Sequence, residues 1–370
     1  MIVRRLLCSI TIALGAIVLV STSAQGACIT GGSASKISSA LAASGVAELC
    51  QGAVFTVTTP INMTRNNSRI FTTGFPTNDA QKARIEVGNG ASFNSPVIQA
   101  RKPGAQIRNV VVDGRYQVLG HVHYRSLIAI TGRNGRLENT TLLNSSGLSF
   151  VDAATDPSCS GLRIVRNNIN GSGDHTAHAQ WTDGIDVSCD NSYIAHNTVL
   201  DATDGGITIF ESRNTVVEHN WVANANRSAF SGIIAATALG TDFTGTVIRN
   251  NLVQTCCGQH LHVALSVGAH LWCDDVGQNP DCQVGNGVSF LNNSGSGTFG
   301  FGLVVEGMTN ATVQGNNLNV TPWSGQNCRV PGGNNYYVVD LRPGHASGSL
   351  QPGYSNRTNL HWPCIGPTNQ

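Results

Sequence analysis

Charge is what this chain has least of. Only 12% of its 370 residues are charged, about half the usual share for a soluble domain. The 22 Lys and Arg nearly cancel the 21 Asp and Glu, leaving a net charge of +1. No positive excess exists to neutralise phosphates, which argues against a nucleic-acid binder. Lysine is nearly absent, with Lys36, Lys82 and Lys102 the only three. No Cys-x-x-Cys pair occurs, so no zinc ribbon is expected. After residue 20 no apolar run is long enough to span a bilayer. Disorder is also excluded, because 41% of the residues are hydrophobic and net charge is low. Glycine and asparagine are abundant instead, at 42 and 35 residues. Such a chain makes many tight turns.

Residues 1–27 read as a secretory signal peptide. Arg4 and Arg5 precede an apolar stretch from Leu6 to Val20, and small residues follow up to cleavage near Ala24 or Ala27. The expected location is secreted and extracellular, with no membrane span in the mature chain. Ten of the 11 cysteines remain after cleavage. An even number in an exported chain implies disulfides. Proximity suggests Cys28–Cys50, Cys159–Cys189, Cys273–Cys282 and Cys328–Cys364, which leaves Cys256 and Cys257 as a vicinal pair. Ten Asn-x-Ser/Thr sequons, Asn62, Asn139, Asn226 and Asn310 among them, are a weak sign of glycosylation.

The body of the chain repeats. A short phrase of apolar residues, a polar residue and Asn recurs, as in Ile164-Val165-Arg166-Asn167-Asn168-Ile169 and Val216-Val217-Glu218-His219-Asn220-Trp221-Val222. From Asn109 the steps to Asn139, Asn168, Asn197, Asn220 and Asn251 are 30, 29, 29, 23 and 31 residues. Strands of four to six residues at this period fit one coil of a parallel β-helix, not a propeller blade. Val, Ile and Leu fill the bore, while Asn tolerates left-handed turns and can hydrogen-bond the Asn of the next coil. Trp221, within this phrase, is expected to pack in the wall. The organisation expected is a signal at 1–27, an N-terminal cap with an amphipathic helix at 28–53, a β-helix at 54–320 and a C-terminal cap at 321–370.

A second phrase falls once per coil: Asp183-Gly184-Ile185-Asp186-Val187, then Asp204-Gly205-Gly206-Ile207, then Ser231-Gly232-Ile233. Together with Trp181-Thr182-Asp183-Gly184-Ile185 and Thr203-Asp204-Gly205-Gly206-Ile207, over residues 28 to 320, the chain resembles the pectin-lyase-like superfamily. That resemblance implies an all-β, single-stranded right-handed parallel β-helix. The polygalacturonase family shows a similar arrangement of an Asn-Thr-Asp-Gly turn, an Asp-Asp pair and a Gly-His-Gly turn. Thr182-Asp183-Gly184 matches the first, and Asp204 matches the first acid of the pair. Gly205 replaces the second acid, Asn226-Arg227-Ser228 stands where Gly-His-Gly would, and no Arg-x-Lys motif is present. The resemblance therefore implies an acid role for Asp183 and Asp204 alone.

Asp183 and Asp204 lie 21 residues apart. If they hold the same place in consecutive coils, their carboxylates are about 5 Å apart, one rung of a sheet. Two carboxyls so close raise one pKa and suit glycoside hydrolysis. By strand alternation Asp186 is expected to face solvent beside them. Asp-Gly is also a common plain turn, as Asp113-Gly114 illustrates. His175, His178 and Trp181 precede the acidic turn on a Gly- and Ser-rich loop and are expected to contact substrate. Arg227, one coil beyond Asp204, is the candidate partner for an acidic sugar. His260-x-His262 and His121-x-His123 each pair two imidazoles but lack a third ligand, so no metal is assigned.

The favoured function is a polysaccharide- or oligosaccharide-active glycoside hydrolase with Asp183, Asp204 and Asp186 as catalytic residues and no cofactor. One alternative is a polysaccharide lyase or epimerase, with Arg213 or Arg227 as base and calcium held by the acids. The other is a non-catalytic cell-surface or carbohydrate-binding β-helix.

Overall fold

A computed structural model describes residues 28–120, 122, 124–156, 158–171, 181–237, 241–268, 283–325 and 336–357. Strands, most of them two to five residues long, end at turns and pair in parallel with the strand one coil away. Three faces result. The first stacks Arg136–Glu138, Arg163–Val165, Tyr193–Ala195, Val216–Glu218 and Val247–Arg249. The second stacks Thr141–Leu143, Asn168–Asn170, Thr198–Leu200, Trp221–Asn224 and Leu252–Thr255. The third stacks Ser149–Ala153, Asp183–Val187, Gly205–Ile209, Ala229–Ala235 and His260–Val267. This is a parallel β-helix, as the repeat predicts.

The bore is filled by one apolar column per face. Ile164, Ile194, Val217 and Ile248 line the first, Ile169, Val199, Val222 and Val253 the second, and Ile185, Ile207, Ile233 and Leu265 the third, all fully buried. Removing these side chains from water is the main stabilising term. The helix Ala34–Ser44 buries Ala34, Ile37 and Leu41, and Gly45 ends it at φ 77° with its N–H on the Leu41 carbonyl. Cys28–Cys50 ties this helix region to the stack, and Cys159–Cys189 links two consecutive coils. The expected Cys273–Cys282 and Cys328–Cys364 pairs lie outside the described residues. Cys256 and Cys257 are exposed and free. Parallel pairing continues past residue 320, where Tyr337–Val339 and Ala346–Leu350 add to two faces.

The Asn phrase forms the corner between the first and second faces. The buried side chains of Asn167, Asn197, Asn220, Asn251 and Asn293 and the half-buried Asn316 form a ladder, each Nδ2 donating to the next Oδ1 at 2.9–3.0 Å. Gln351 receives the last bond at 3.1 Å. The left-handed position is a different residue, one place earlier: Arg166, His196, His219, Asn250 and Asn292 all have φ between 52° and 57°. The two tasks assigned to one Asn are thus divided between neighbours, and the ladder runs through Asn167, not Asn168. Trp221 does not pack in the wall. Its indole is 42% exposed and donates to Gln254 Oε1 at 2.9 Å on the outside of the second face.

Candidate functional site

The third face carries the acids on its outer side. Backbone register sets Asp152 beside Asp186, Asp186 beside Thr208, and Thr208 beside Ile234. Ile185 pairs with Ile207, so counting back along both strands places Asp183 opposite Gly205 and Asp204 opposite Thr182. Asp183 and Asp204 are therefore staggered by one residue and do not occupy the same place in consecutive coils. The stagger has a use. Gly205 N–H donates to Asp183 Oδ1 at 2.7 Å, and Thr208 Oγ1 donates to the same oxygen at 3.1 Å. A β-carbon at residue 205 would stand 2.7 Å from that oxygen, so glycine is required there.

Asp186 is not solvent-facing as alternation predicts. Asp183 and Asp186 are each 8% exposed, whereas Asp204 is only partly buried. Burial, then the charge of Asp186, pushes the Asp183 carboxyl well above the usual range. Burial, then Asp152, does the same to Asp186, and Asp183 and Asp186 are close enough to share a hydrogen bond. Burial and Asp183 hold Asp204 high as well. Desolvation disfavours each charged form, and like charges disfavour it further. Both shifts therefore favour the protonated form of the coupled Asp183–Asp186 pair. Asp186 Oδ1 is buried and accepts no hydrogen bond. Buried polar atoms are rarely left so.

Asp152 is a member of this group that the sequence reading missed. Its carboxylate accepts the Ala154 N–H at 3.1 Å and pairs with Arg125 at 3.3 Å. The signal was available, since Val151-Asp152-Ala153 repeats the Ile185-Asp186-Val187 alternation one coil earlier. Beyond this end of the strands is an open cleft of about 480 Å³, lined by Arg125, Thr155, Ser188, Asp190, Glu211 and Arg213. Arg213 is committed to Asp190, with Nε and Nη2 at 2.9 and 2.6 Å from the same carboxylate oxygen.

Further along the same face the outer side turns apolar. Phe230, Ile234, Val263, Phe301 and Val304 form a second buried cluster outside the bore, and Trp181 packs against it. Beside it, the Trp323 and His260 rings stack at 3.9 Å, and the buried His262 lies 4.8 Å from Trp323. Ser228 hydrogen-bonds His260 Nδ1 at 2.9 Å, and burial holds His260 below its ordinary range. Arg227 lies on the turn before Ser228, where its carbonyl accepts Asn224 Nδ2 at 2.9 Å. The face thus brings together Asp183, Asp186 and Asp204, with Trp181 in the adjoining apolar cluster. His175, His178, His121 and His123 lie outside the described residues.

Elsewhere Glu306, Asp340 and His345 converge within 4.8 Å, a set with metal-ligand chemistry. Arg342 occupies the centre of that set, with Nη2 2.6 Å from Asp340 and 3.5 Å from Glu306, so the cluster is built as an ion-pair network.

No protein-family model matches this chain, and no curated protein does. Solved structures do resemble it. An exopolygalacturonase from Thermotoga maritima is 13% identical, with 78% of this chain and 87% of that one aligned at a TM-score of 0.47. The tailspike of Escherichia coli bacteriophage HK620, solved with a hexasaccharide, is 10% identical over 85% of this chain and 62% of its own, at 0.45. The protein sacteLam55A from Streptomyces sp. SirexAA-E is 13% identical at 0.43, and this chain spans 44% of its length. The parallel β-helix itself is read from the strand pairing of this chain.

Proposed function

We propose that this β-helix is a secreted glycoside hydrolase acting on a polysaccharide or oligosaccharide. The observation that supports the reading is the set of three carboxyls on the outer wall, Asp183, Asp186 and Asp204, all raised toward the protonated form. Glycoside hydrolysis needs one carboxyl that keeps its proton near neutral pH and a second that acts as base or nucleophile. Asp183 and Asp186 together supply the proton to the leaving oxygen. Asp204, more open to solvent, is the second carboxylate. Thr208 and the Gly205 N–H fix the Asp183 carboxyl, so its proton is presented in a constant direction. Trp181 and the Trp323–His260 stack offer apolar ring faces along the same wall. The signal-like N-terminus and the two disulfides among the described residues support export.

Elimination is less well supported. Asp190, by hydrogen bond and charge, pushes the Arg213 guanidinium still further above its usual range, the wrong direction for a base. The reading requires no cofactor.

The test is a panel of neutral and acidic polysaccharides assayed with the wild type and with Asp183→Asn, Asp186→Asn and Asp204→Asn, each checked for a native melting curve. Loss of about 100-fold or more in turnover is expected for Asp183→Asn. A chelator should change nothing, and products should show no ultraviolet-absorbing double bond. Unchanged turnover in all three folded variants would overturn the assignment. Binding without turnover on every substrate would favour the non-catalytic alternative.

A further inference from the structure

Cys256 and Cys257 stand apart from the other described cysteines, Cys28, Cys50, Cys159 and Cys189, which are all in disulfides. Their sulfurs are 2.7 Å apart, well inside non-bonded contact, and both side chains are exposed. The backbone holds them there. Cys257 sits at φ 61°, uncommon for a residue with a β-carbon, and Gly258 follows at φ 85°. Gln259 N–H closes the turn on the Cys256 carbonyl at 2.9 Å, and Cys256 N–H anchors it to Asn224 of the preceding coil at 3.0 Å. Ser228 in that coil then grips the next residues, at 2.9 Å from Gln259 Oε1 and 2.9 Å from His260 Nδ1.

We propose that Cys256 and Cys257 are a redox modification site, a dithiol that closes into a vicinal disulfide under a low-molecular-weight disulfide oxidant. The Cys257 thiolate attacks one sulfur of the oxidant, forming a mixed disulfide and releasing one thiol. Cys256 then attacks the Cys257 sulfur and releases the second thiol, so the protein loses two electrons and two protons and the oxidant gains both. The sulfur contact with Cys257, more than burial or Asp201, pushes the Cys256 thiol up from its ordinary range. Exposure leaves the first step open to a small oxidant. Oxidation would tie off the turn that carries Gln259 and His260, next to the Trp323 stack.

The full-length protein, reduced and then equilibrated with oxidised glutathione, is denatured with excess maleimide and mapped by mass spectrometry. The expected peptide containing residues 256 and 257 is unlabelled, lighter than the dithiol by two hydrogens, and takes two labels after reduction. In Cys257→Ser the remaining Cys256 should instead carry glutathione, since no neighbour can displace it. Two labels without reduction in the wild type would overturn the proposal. So would a disulfide from either residue to Cys273, Cys282, Cys328 or Cys364. Retention of glutathione on the wild-type pair would overturn it too, because ring closure would then be unfavourable.

Discussion

Two corners of the same coil behave differently. At the corner between the first and second faces, from Arg166–Asn167 to Gly315–Asn316, each coil uses the same solution: a left-handed residue followed by an Asn whose amide continues the ladder. Where the chain enters the third face, each coil presents something else, with Asp183, then Gly205, then Ser231 in register, and then Val263. A repeated side chain whose hydrogen bonds are all satisfied serves the stack. A run of unlike side chains, with carboxyls pressed together and one oxygen unpartnered, costs stability and points to chemistry.

That contrast can be broken most severely at the ladder. Asn220→Ala removes an acceptor for Asn197 and a donor to Asn251 and to the Ile194 carbonyl, all buried. Leaving such groups unpaired costs about 1–3 kcal/mol each, so a loss of at least ~3 kcal/mol is expected in denaturant unfolding. A loss below ~1 kcal/mol would mean that the ladder is ornamental.

The acid corner should respond in the opposite direction. The folded-state pKa values of Asp183, Asp186 and Asp204 are raised. As pH rises past about 4, the unfolded chain ionises these carboxyls first, and folding loses stability until the folded carboxyls ionise as well. Asp186→Asn should therefore stabilise the protein near neutral pH by about 1.4 kcal/mol for each pKa unit removed. It should also flatten the fall of melting temperature between mildly acidic and neutral pH, while reducing turnover. Destabilisation by Asp186→Asn at neutral pH would show that its charge is welcome in the fold. Glu218 works the other way: against the upward pull of burial, Arg249 and Tyr193 hold it low, so its contribution is lost as pH falls.

The smallest effect is expected from Arg213→Ala. Its pair with Asp190 is more than half exposed on the arginine side, so solvent screens it and its loss should barely move the denaturant midpoint. Turnover should be retained, whereas an eliminating enzyme with Arg213 as base would lose it.

The repeat was legible because the bore demands apolar residues at a fixed spacing and the ladder demands Asn. Both demands recur, so Asn197, Asn220 and Asn251 could be read directly. The disulfide pairs within one coil's length were legible for the same reason. Register was not. Coil length varies, and a displacement of one residue moved Asp204 from beside Asp183 to beside Thr182. Alternation also misled at the strand 183–187. Counting from the inward Ile185 sends Asp183 inward, yet its carboxylate meets Thr208, the register partner of Asp186. The entry to the third face bends, so acids three residues apart share an environment that simple alternation separates. The exposure of Trp221 escaped because aromatic residues suit both sides of a strand. The Asp152–Asp186 neighbourhood escaped because Asp152 precedes no Asp-Gly turn.

The spacing along the ladder varies more than its bonds do. Successive rungs are separated by 30, 23, 31, 42, 23 and 35 residues, while the amide contacts stay within 2.9–3.1 Å. Whatever a coil gains or loses in length is absorbed elsewhere on the circuit, and the spine registers nothing. Evolution, or an engineer, can therefore splice a new segment into one coil and redraw the outer surface while the neighbouring storeys remain in place.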